Sequence, residues 1–271
     1  MRIALAQISS TGDLGENLRL VGEHIRRAAA DGADLLVFPE ATMCAFGGDL
    51  PAVAEPVDGP WASDVRALAV ESGITVVVGM FTPGEGGRVR NTLLVVGPDT
   101  ATHYDKIHLF DAFGYLESDA VTPGATPVVI TVAGTRVGLA TCYDLRFPAL
   151  FVANALAGAE VSVVAASWGD GVGKAEQWAL LGRARALDST TFVVAVDQAD
   201  PTSVGREPVG GAPSGVGGSQ VVSPLGEQLL VLGRGPEYAV VDVVPTAVGE
   251  ARSSLPVLRN IRPLGATTVG T

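Results

Sequence analysis

The chain has 271 residues, 47% of them hydrophobic, which is enough for a substantial core in one large α/β domain or in two small ones. Its formal net charge of −11 argues against a nucleic-acid partner, because phosphates are repelled unless a strong basic patch is present. No apolar run reaches bilayer-spanning length, and the N-terminus lacks the layout of a secretory signal. We therefore expect a cytoplasmic protein that acts on a small neutral or anionic molecule, with no nucleic-acid and no membrane partner.

The cysteine and histidine content limits the chemistry further. Cys44 and Cys142 are too few for a disulfide framework in a chain of this size. No Cys-x-x-Cys pair is present, which disfavours a thiol redox protein. The three histidines and the carboxylates show no spacing typical of a zinc site. We expect a reaction that needs neither a metal nor a cofactor.

Apolar runs at strand or helix spacing divide the chain into successive elements. Continuous apolar runs suit strands that are covered on both faces, and helix 174–188 is expected to bury a face formed by Trp178, Leu181, Ala184 and Leu187. The predicted strands are 2–8, 34–40, 74–80, 90–96, 103–109, 128–132, 136–141, 161–166, 192–196, 220–222, 228–231 and 239–243. The predicted helices are 17–30, 61–72, 148–158, 174–188 and 247–254. The predicted loops are 111–123 and 200–218, and 256–271 is predicted to be a tail.

The order of these elements indicates an α/β protein with mixed sheets. Helical crossovers allow parallel pairs of strands, whereas hairpins require antiparallel ones, and both kinds of connection are predicted. About a dozen strands is more than one open sheet usually holds. Two packed β-sheets with helices on their outer faces is the simplest arrangement, and the absence of an internal linker predicts a single domain over 1–271 that ends in the 256–271 tail.

Cys142 stands at a predicted strand-to-helix corner. The apolar strand 136–141 ends just before it, and Pro148 opens the following helix. Backbone N–H groups at a helix N-terminus favour thiolate over thiol, so this position suits a nucleophile. The alternative is that Cys142 is an ordinary buried small hydrophobe, as many free cysteines are.

Two more candidates for chemistry lie at or near predicted strand ends. Glu40 ends the apolar strand 34–40, and Lys106 lies in strand 103–109. A carboxylate base, a thiol nucleophile and an ammonium that stabilises an oxyanion suffice together for acyl transfer. The residues alone leave other interpretations open: Glu40 as a helix-entry or turn carboxylate, Lys106 as a solvated strand lysine, and Glu117 as a surface residue.

Three segments of the chain resemble the signature regions of the nitrilase (carbon–nitrogen hydrolase) superfamily. They are 38–40, 104–111 and 142–148, in the order the family has them, and the similarity runs from the first strand to about Pro263. Further resemblance lies in 177–187, 218–222 and 255–258. The resemblance implies a four-layer αββα sandwich with two mixed β-sheets flanked by helices, which dimerises into an eight-layer assembly; we expect a homodimer or a higher homo-oligomer.

The resemblance also implies catalytic roles. Glu40 would be the general base, Cys142 the nucleophile and Lys106 the group that stabilises the tetrahedral intermediate. Glu117 falls where the family often has a second glutamate that orients the lysine or the substrate. The backbone N–H of Tyr143 would join Lys106 in the oxyanion hole.

The chain departs from the family pattern at two places. Gln177 stands before the tryptophan of the late helix, where the family usually has histidine or another residue, so the resemblance implies no role for it. The segment 41–48 is not the commonest continuation after the glutamate. We expect it to reshape the substrate entrance.

The form of the segment 142–148 is similar to the amidase branch that includes omega-amidases and deaminated-glutathione amidases. We therefore expect a cysteine-dependent amidase that releases ammonia from a small carboxylate-bearing amide. Arg146 is a candidate for binding the substrate carboxylate through paired N–H bonds, the alternative being a structural arginine paired with Asp144 or another acid. Ser167 and Trp168, at the end of a predicted strand, are expected to line the pocket. A nitrilase, an N-carbamoyl amide hydrolase and a catalytically silent binding subunit are the alternative functions.

Overall fold

The computed structural model describes residues 1–208 and 211–263. The strands, in chain order, are β1 (Arg2–Gln7), β2 (Leu35–Val37), β3 (Thr75–Pro83), β4 (Val89–Gly97), β5 (Thr100–Asp105), β6 (Asp111–Ala112), β7 (Tyr115–Leu116), β8 (Val129–Val132), β9 (Thr135–Thr141), β10 (Val161–Ala166), β11 (Phe192–Asp197), β12 (Gln220–Val222), β13 (Gln228–Val231) and β14 (Glu237–Asp242). The helices are α1 (Leu14–Ala30), α2 (Leu50–Val53), α3 (Pro60–Ser72), α4 (Pro148–Leu156), α5 (Lys174–Ser189) and α6 (Thr246–Ser254).

The strands of the described residues form two six-stranded mixed sheets and a small two-stranded hairpin. The first sheet has the order β14-β1-β2-β3-β4-β5, with β1, β2 and β3 parallel and the remaining pairs antiparallel. The second has the order β13-β12-β11-β10-β9-β8, with β9, β10 and β11 parallel. Strands β6 and β7 form the hairpin.

Strand β1 shows how the layers stack. Its side chains alternate between the two faces of the sheet, so Ile3 and Leu5 join a core shared with Leu139 and Val163 of the second sheet. Ala4 belongs instead to a core that contains residues of α1 and α3. Helices α4 and α5 pack on the second sheet, against β9 and against β11 and β12. The layers are therefore helix, sheet, sheet and helix, which confirms the predicted αββα sandwich.

Three local predictions are wrong. Strand 103–109 ends at Asp105, because the His108 N–H bonds to the Asp144 carboxylate rather than to a neighbouring strand. The predicted loop 111–123 contains the β6–β7 hairpin. Helix α5 buries Trp178 but leaves Leu187 40% exposed. The buried residues of α5 are Lys174, Trp178, Gly182, Arg185, Ala186 and Ser189.

Parts of two predicted segments lie outside the described residues. These are 209–210 in the predicted loop 200–218, and 264–271 in the predicted tail. In the part of the chain that is described, no helix combines the length and the apolar character that crossing a membrane requires.

Candidate active site

Strand β9 leads into a strained turn at Cys142. The strand ends at Thr141, and Cys142 opens a 3₁₀ turn with a φ of 45°, in the left-handed region that non-glycine residues rarely adopt. Oδ2 of Asp144 holds this turn by accepting a 2.8 Å hydrogen bond from the Thr141 N–H. The Cys142 side chain lines a cleft, and its sulfur lies 3.6 Å from the Ser167 carbonyl oxygen. Strained backbone of this kind concentrates at functional sites.

The Lys106 ammonium lies between two buried carboxylates. Its Nζ is 2.9 Å from Oε1 of Glu40 and 2.8 Å from Oε2 of Glu117, and each of the three side chains is at most 3% exposed. The Lys106 N–H donates to the Asn91 carbonyl oxygen over 2.9 Å, which ties this segment to β4. Nδ2 of Asn91 donates to Oε1 of Glu40 (2.6 Å) and to Oε1 of Glu117 (3.1 Å). One amide in a largely apolar strand therefore holds both carboxylates beside the ammonium.

Backbone N–H groups and the Gln198 side chain complete the hydrogen bonds of Glu40 and Glu117. Oε2 of Glu40 accepts a 2.7 Å hydrogen bond from the Ser167 N–H, and the Glu40 carbonyl accepts one of 2.9 Å from Nε2 of Gln198. Oε2 of Glu117 accepts a 2.6 Å bond from the Phe110 N–H. With burial this complete, the interpretations of Lys106 as a solvated lysine and of Glu117 as a surface residue are wrong.

Burial has the largest effect on the pKa of the Cys142 thiol. It raises the pKa of Cys142 well above its ordinary value; the Glu40 charge and a hydrogen bond to that carboxylate raise it further, while Lys106 opposes them. The expectation that the corner would favour thiolate is therefore wrong, because loss of solvent outweighs the nearby N–H groups. Burial and the Glu117 charge also raise the pKa of Glu40, against the effect of Lys106. Burial lowers the pKa of Lys106, but the two carboxylates outweigh it and the net shift is upward.

Asp144 ties the nucleophile turn to the segment that carries Lys106. Its Oδ2 accepts a 2.6 Å hydrogen bond from the Tyr104 hydroxyl, and its Oδ1 accepts 3.0 Å from the His108 N–H and lies 2.7 Å from His108 Nδ1. Both oxygens are thus occupied by groups other than Arg146. The pairing of Arg146 with Asp144 that the sequence left open is not observed.

Arg146 and three aromatic residues line the same cleft as Lys106 and Cys142. The Arg146 guanidinium donates to Oε1 of Gln177 over 2.6 Å and lies 5.0 Å from the centroid of the Trp168 ring. The cleft is lined by Lys106, Phe110, Cys142, Tyr143, Arg146, Trp168, Gly169, Lys174 and Pro213. Of the predicted pocket residues, Tyr143, Arg146 and Trp168 therefore reach the cleft with the catalytic candidates.

Ser167 contributes to the site through its backbone. Its N–H binds Glu40, its carbonyl oxygen faces Cys142, and its hydroxyl donates to the Pro213 carbonyl over 2.9 Å. Trp168 is oriented by Asp197, whose Oδ1 accepts a 2.7 Å bond from the Trp168 N–H. These contacts lie at the carboxyl end of β10, where ligands gather in α/β sheets.

Four residues of the site were missed by sequence reasoning. Asn91 had a usable signal, since it is a buried amide in an apolar strand, and Lys174 had one in the rarity of lysine in this chain. Gln198 had none, because its partner is remote in sequence, and Asp144 had only its local bond to the Thr141 N–H, since Tyr104 and His108 are remote. Within residues 1–208 and 211–263, no three histidine, cysteine or carboxylate side chains cluster as metal ligands would.

Comparison with known proteins identifies the family. A family model described as carbon-nitrogen hydrolase matches residues 2–253. Hydrolase Rv0480c of Mycobacterium tuberculosis is 56% identical over 96% of this chain and 95% of its own length. The deaminated glutathione amidase of Escherichia coli is 31% identical over 97% of each chain. The chain therefore belongs to the carbon–nitrogen hydrolase family of the nitrilase superfamily.

The solved structure of a similar amidase bears on the role of the active-site cysteine. The amidase of Nesterenkonia sp. AN1 has a TM-score of 0.80 with this chain, at 28% identity and with 97% of this chain and 94% of that one covered. A glutamate-to-glutamine variant of that amidase shows covalent addition of the acetamide moiety of fluoroacetamide at the active-site cysteine. The present chain is a cysteine-dependent amidase of this superfamily.

Proposed function

We propose that the protein hydrolyses the amide of a small carboxylate-bearing acid through a thioester on Cys142 and releases ammonia. The observation that carries this proposal is the position of the Lys106 ammonium, held between Glu40 and Glu117 beside the Cys142 thiol in one cleft. A base, an oxyanion-stabilising cation and a sulfur nucleophile are thereby close to a single reacting carbonyl.

The first half of the reaction uses Glu40 as base. The raised pKa of Cys142 means that the resting sulfur is a thiol, so its proton passes to Glu40 as the sulfur attacks the amide carbonyl carbon. The carbonyl oxygen becomes an oxyanion, which the Lys106 ammonium and the Tyr143 N–H stabilise. Glu117 holds Lys106 in place through its 2.8 Å contact.

The second half returns the enzyme to its starting state. The tetrahedral intermediate collapses, its C–N bond breaks, and ammonia leaves with the proton that Glu40 received. Glu40 then takes a proton from a water molecule, whose oxygen attacks the thioester. The C–S bond breaks, the acid product departs, and Cys142 regains its proton.

Arg146 selects the substrate in this proposal. Its partner is the neutral amide of Gln177, so its positive charge is available to a substrate carboxylate, for which its planar guanidinium is well shaped. Similar proteins have names that fit such a substrate. They include the deaminated glutathione amidase of Escherichia coli and the omega-amidase NIT2 of Homo sapiens, the latter 30% identical over 96% of this chain.

An ammonia-release panel tests the proposal. Succinamate, butyramide, a ureido acid and an aliphatic nitrile are compared for the wild type, for Cys142→Ser and for Cys44→Ser as the matched cysteine control. We expect succinamate to be the preferred substrate, Cys142→Ser to be inactive and Cys44→Ser to remain active. Preference for the nitrile or the ureido acid would contradict the proposal in favour of the alternative hydrolases.

Mass spectrometry tests the covalent step. Wild-type enzyme quenched during turnover should carry an acyl adduct on Cys142, whereas Glu40→Gln should carry none, because the base is needed for acylation as well as for thioester hydrolysis. An adduct on Cys44 would contradict the assignment. Failure of iodoacetamide to modify Cys142, together with inactivity on the whole panel, would favour a silent binding subunit.

Location and assembly complete the proposal. We propose that the enzyme works in the cytoplasm without a metal or cofactor, as a homodimer or a higher homo-oligomer, and that 1–271 is a single domain. Sedimentation of the purified chain tests the assembly, and a monomer at micromolar concentration would contradict it.

A further inference from the structure

Both lysines of the chain line the cleft. Of 18 lysine and arginine residues, only Lys106 and Lys174 are lysines, and each borders the cavity that contains Cys142. Every other long-chain cation of this protein is therefore an arginine. The mechanism above uses Lys106 and gives Lys174 no role.

Lys174 occupies a position that is unfavourable for a cation. It is the first residue of α5, where the helix dipole is positive. The residue is only 8% exposed, and burial together with the nearby Arg146 charge lowers its pKa. Its Nζ lies 3.8 Å from the centroid of the Phe113 ring and 5.2 Å from that of Phe110. These cation–π contacts offset only part of the cost of burying the charge.

Arg146 and Lys174 lack acidic partners in the part of the chain that the structure describes. Among residues 1–208 and 211–263, no carboxylate oxygen lies within 4.0 Å of the charged nitrogens of either side chain. The situation of Lys106 is different, since two carboxylates neutralise it. A buried ammonium beside a half-buried guanidinium, neither with a counter-charge, is costly, and an anionic ligand would relieve that cost.

We propose that Lys174 is a specificity-determining residue that binds a second anionic group of the substrate, while Arg146 binds the first. The preferred substrate is then an amide whose acid portion carries two anionic groups. The Lys174 ammonium is compact and lies on a flexible stem, so it suits a second anionic group that lies apart from the one bound by the planar Arg146 guanidinium. This inference rests on the proposed function, because it assigns the part of the amide that lies away from Cys142.

Two substrates of equal length test the role of Lys174. N-succinylglutamine and N-butyrylglutamine carry the same side-chain amide and the same α-carboxylate, but only the first has a second carboxylate. We expect the wild type to favour N-succinylglutamine. In Lys174→Met, the kcat/KM for N-succinylglutamine divided by that for N-butyrylglutamine should fall about 10- to 100-fold. A loss of this size is what the removal of a charged hydrogen bond produces.

Three further variants serve as controls for Lys174→Met. Lys174→Arg should restore much of the preference, Arg146→Met should impair both substrates, and Arg19→Met, an exposed cation of α1, controls for a change in net charge. An equal loss for both substrates in Lys174→Met would show a structural role and would overturn the inference. A wild type that does not distinguish the two compounds would overturn it as well.

Calorimetric binding to Cys142→Ala separates this inference from the proposed function. The first case is that no amide yields ammonia, yet N-succinylglutamine binds more tightly than N-butyrylglutamine and Lys174→Met removes that difference. The proposed function then fails and the inference stands. If both compounds are hydrolysed and Lys174→Met leaves their relative affinities unchanged, the inference alone fails.

Discussion

Replacement of Glu117 by glutamine should slow catalysis while it moves the acidic limb of the pH profile. The two oxygens of Glu117 accept bonds from Lys106 (3.0 and 2.8 Å), Asn91 (3.1 Å) and the Phe110 N–H (2.6 Å). Glutamine has one acceptor oxygen, so its NH₂ group would face donors, and each buried donor left without an acceptor costs about 1–3 kcal/mol. We expect Lys106 to shift and kcat to fall about 100-fold, as misplacement of a catalytic group by about 1 Å can cause.

The direction of the pH change follows from the charges. Burial raises the pKa of Glu40 and the Glu117 charge raises it further, while Lys106 acts against both. Glu40 is a base only when ionised, so kcat/KM should fall as the pH drops through the pKa of this group. Removal of the Glu117 charge lowers that pKa, and the acidic limb should move to lower pH although the enzyme is slower.

Initial rates of ammonia release between pH 4 and pH 9 provide the measurement. Glu71→Gln, the same change at an exposed position of α3, is the matched control and should leave the profile unchanged. Circular dichroism establishes whether the variant is folded at the assay temperature. An acidic limb that stays in place or moves to higher pH would refute the assignment of Glu40 as the base whose pKa Glu117 raises.

Three other changes test the supports of the site. Asp144→Asn should lower the free energy of unfolding by about 2–3 kcal/mol, because an amide cannot accept every bond that the carboxylate accepts. Urea unfolding measures this change, and an unchanged midpoint would contradict the prediction. Gly79→Ala should displace Glu40 and so reduce kcat, since the added Cβ would lie 2.7 Å from the Pro39 carbonyl oxygen and 2.8 Å from the Cα of Glu40. A wild-type kcat in the folded variant would show that Glu40 had not been displaced. Gln177→Ala should raise KM for succinamate more than for butyramide because Arg146 loses its hydrogen-bond partner; equal effects would argue against Arg146 as the carboxylate-binding residue.

Much of the fold was predictable because its causes are local. Strands β9, β10 and β11 are short apolar runs bounded by polar residues, and their pattern predicts buried strands wherever they pack. The corner at Cys142 was predictable in the same way, from a strand that ends next to a proline-initiated helix. Leu187 was misplaced because helical spacing identifies an apolar face without identifying what covers it.

The electrostatics of the site depended on contacts between distant segments. The strand-to-helix corner suggested that the Cys142 thiol would ionise easily, yet enclosure beside Glu40 raises its pKa, and no local pattern reports that enclosure. Asp144 illustrates the same limit, since its partners Tyr104 and His108 are about 40 residues away.

The amino-acid order by itself determined most of the elements, the two-sheet architecture and the identity of the base, nucleophile and ammonium candidates, because backbone preference and side-chain chemistry are properties of short segments. Only the tertiary structure decided that Lys106 lies between Glu40 and Glu117 and that burial raises the pKa of the Cys142 thiol. It also decided that Arg146 and Lys174 share the cleft with no acidic partner among the described residues. Distance and solvent exclusion set the energies of these charges, and both arise only when remote segments pack together.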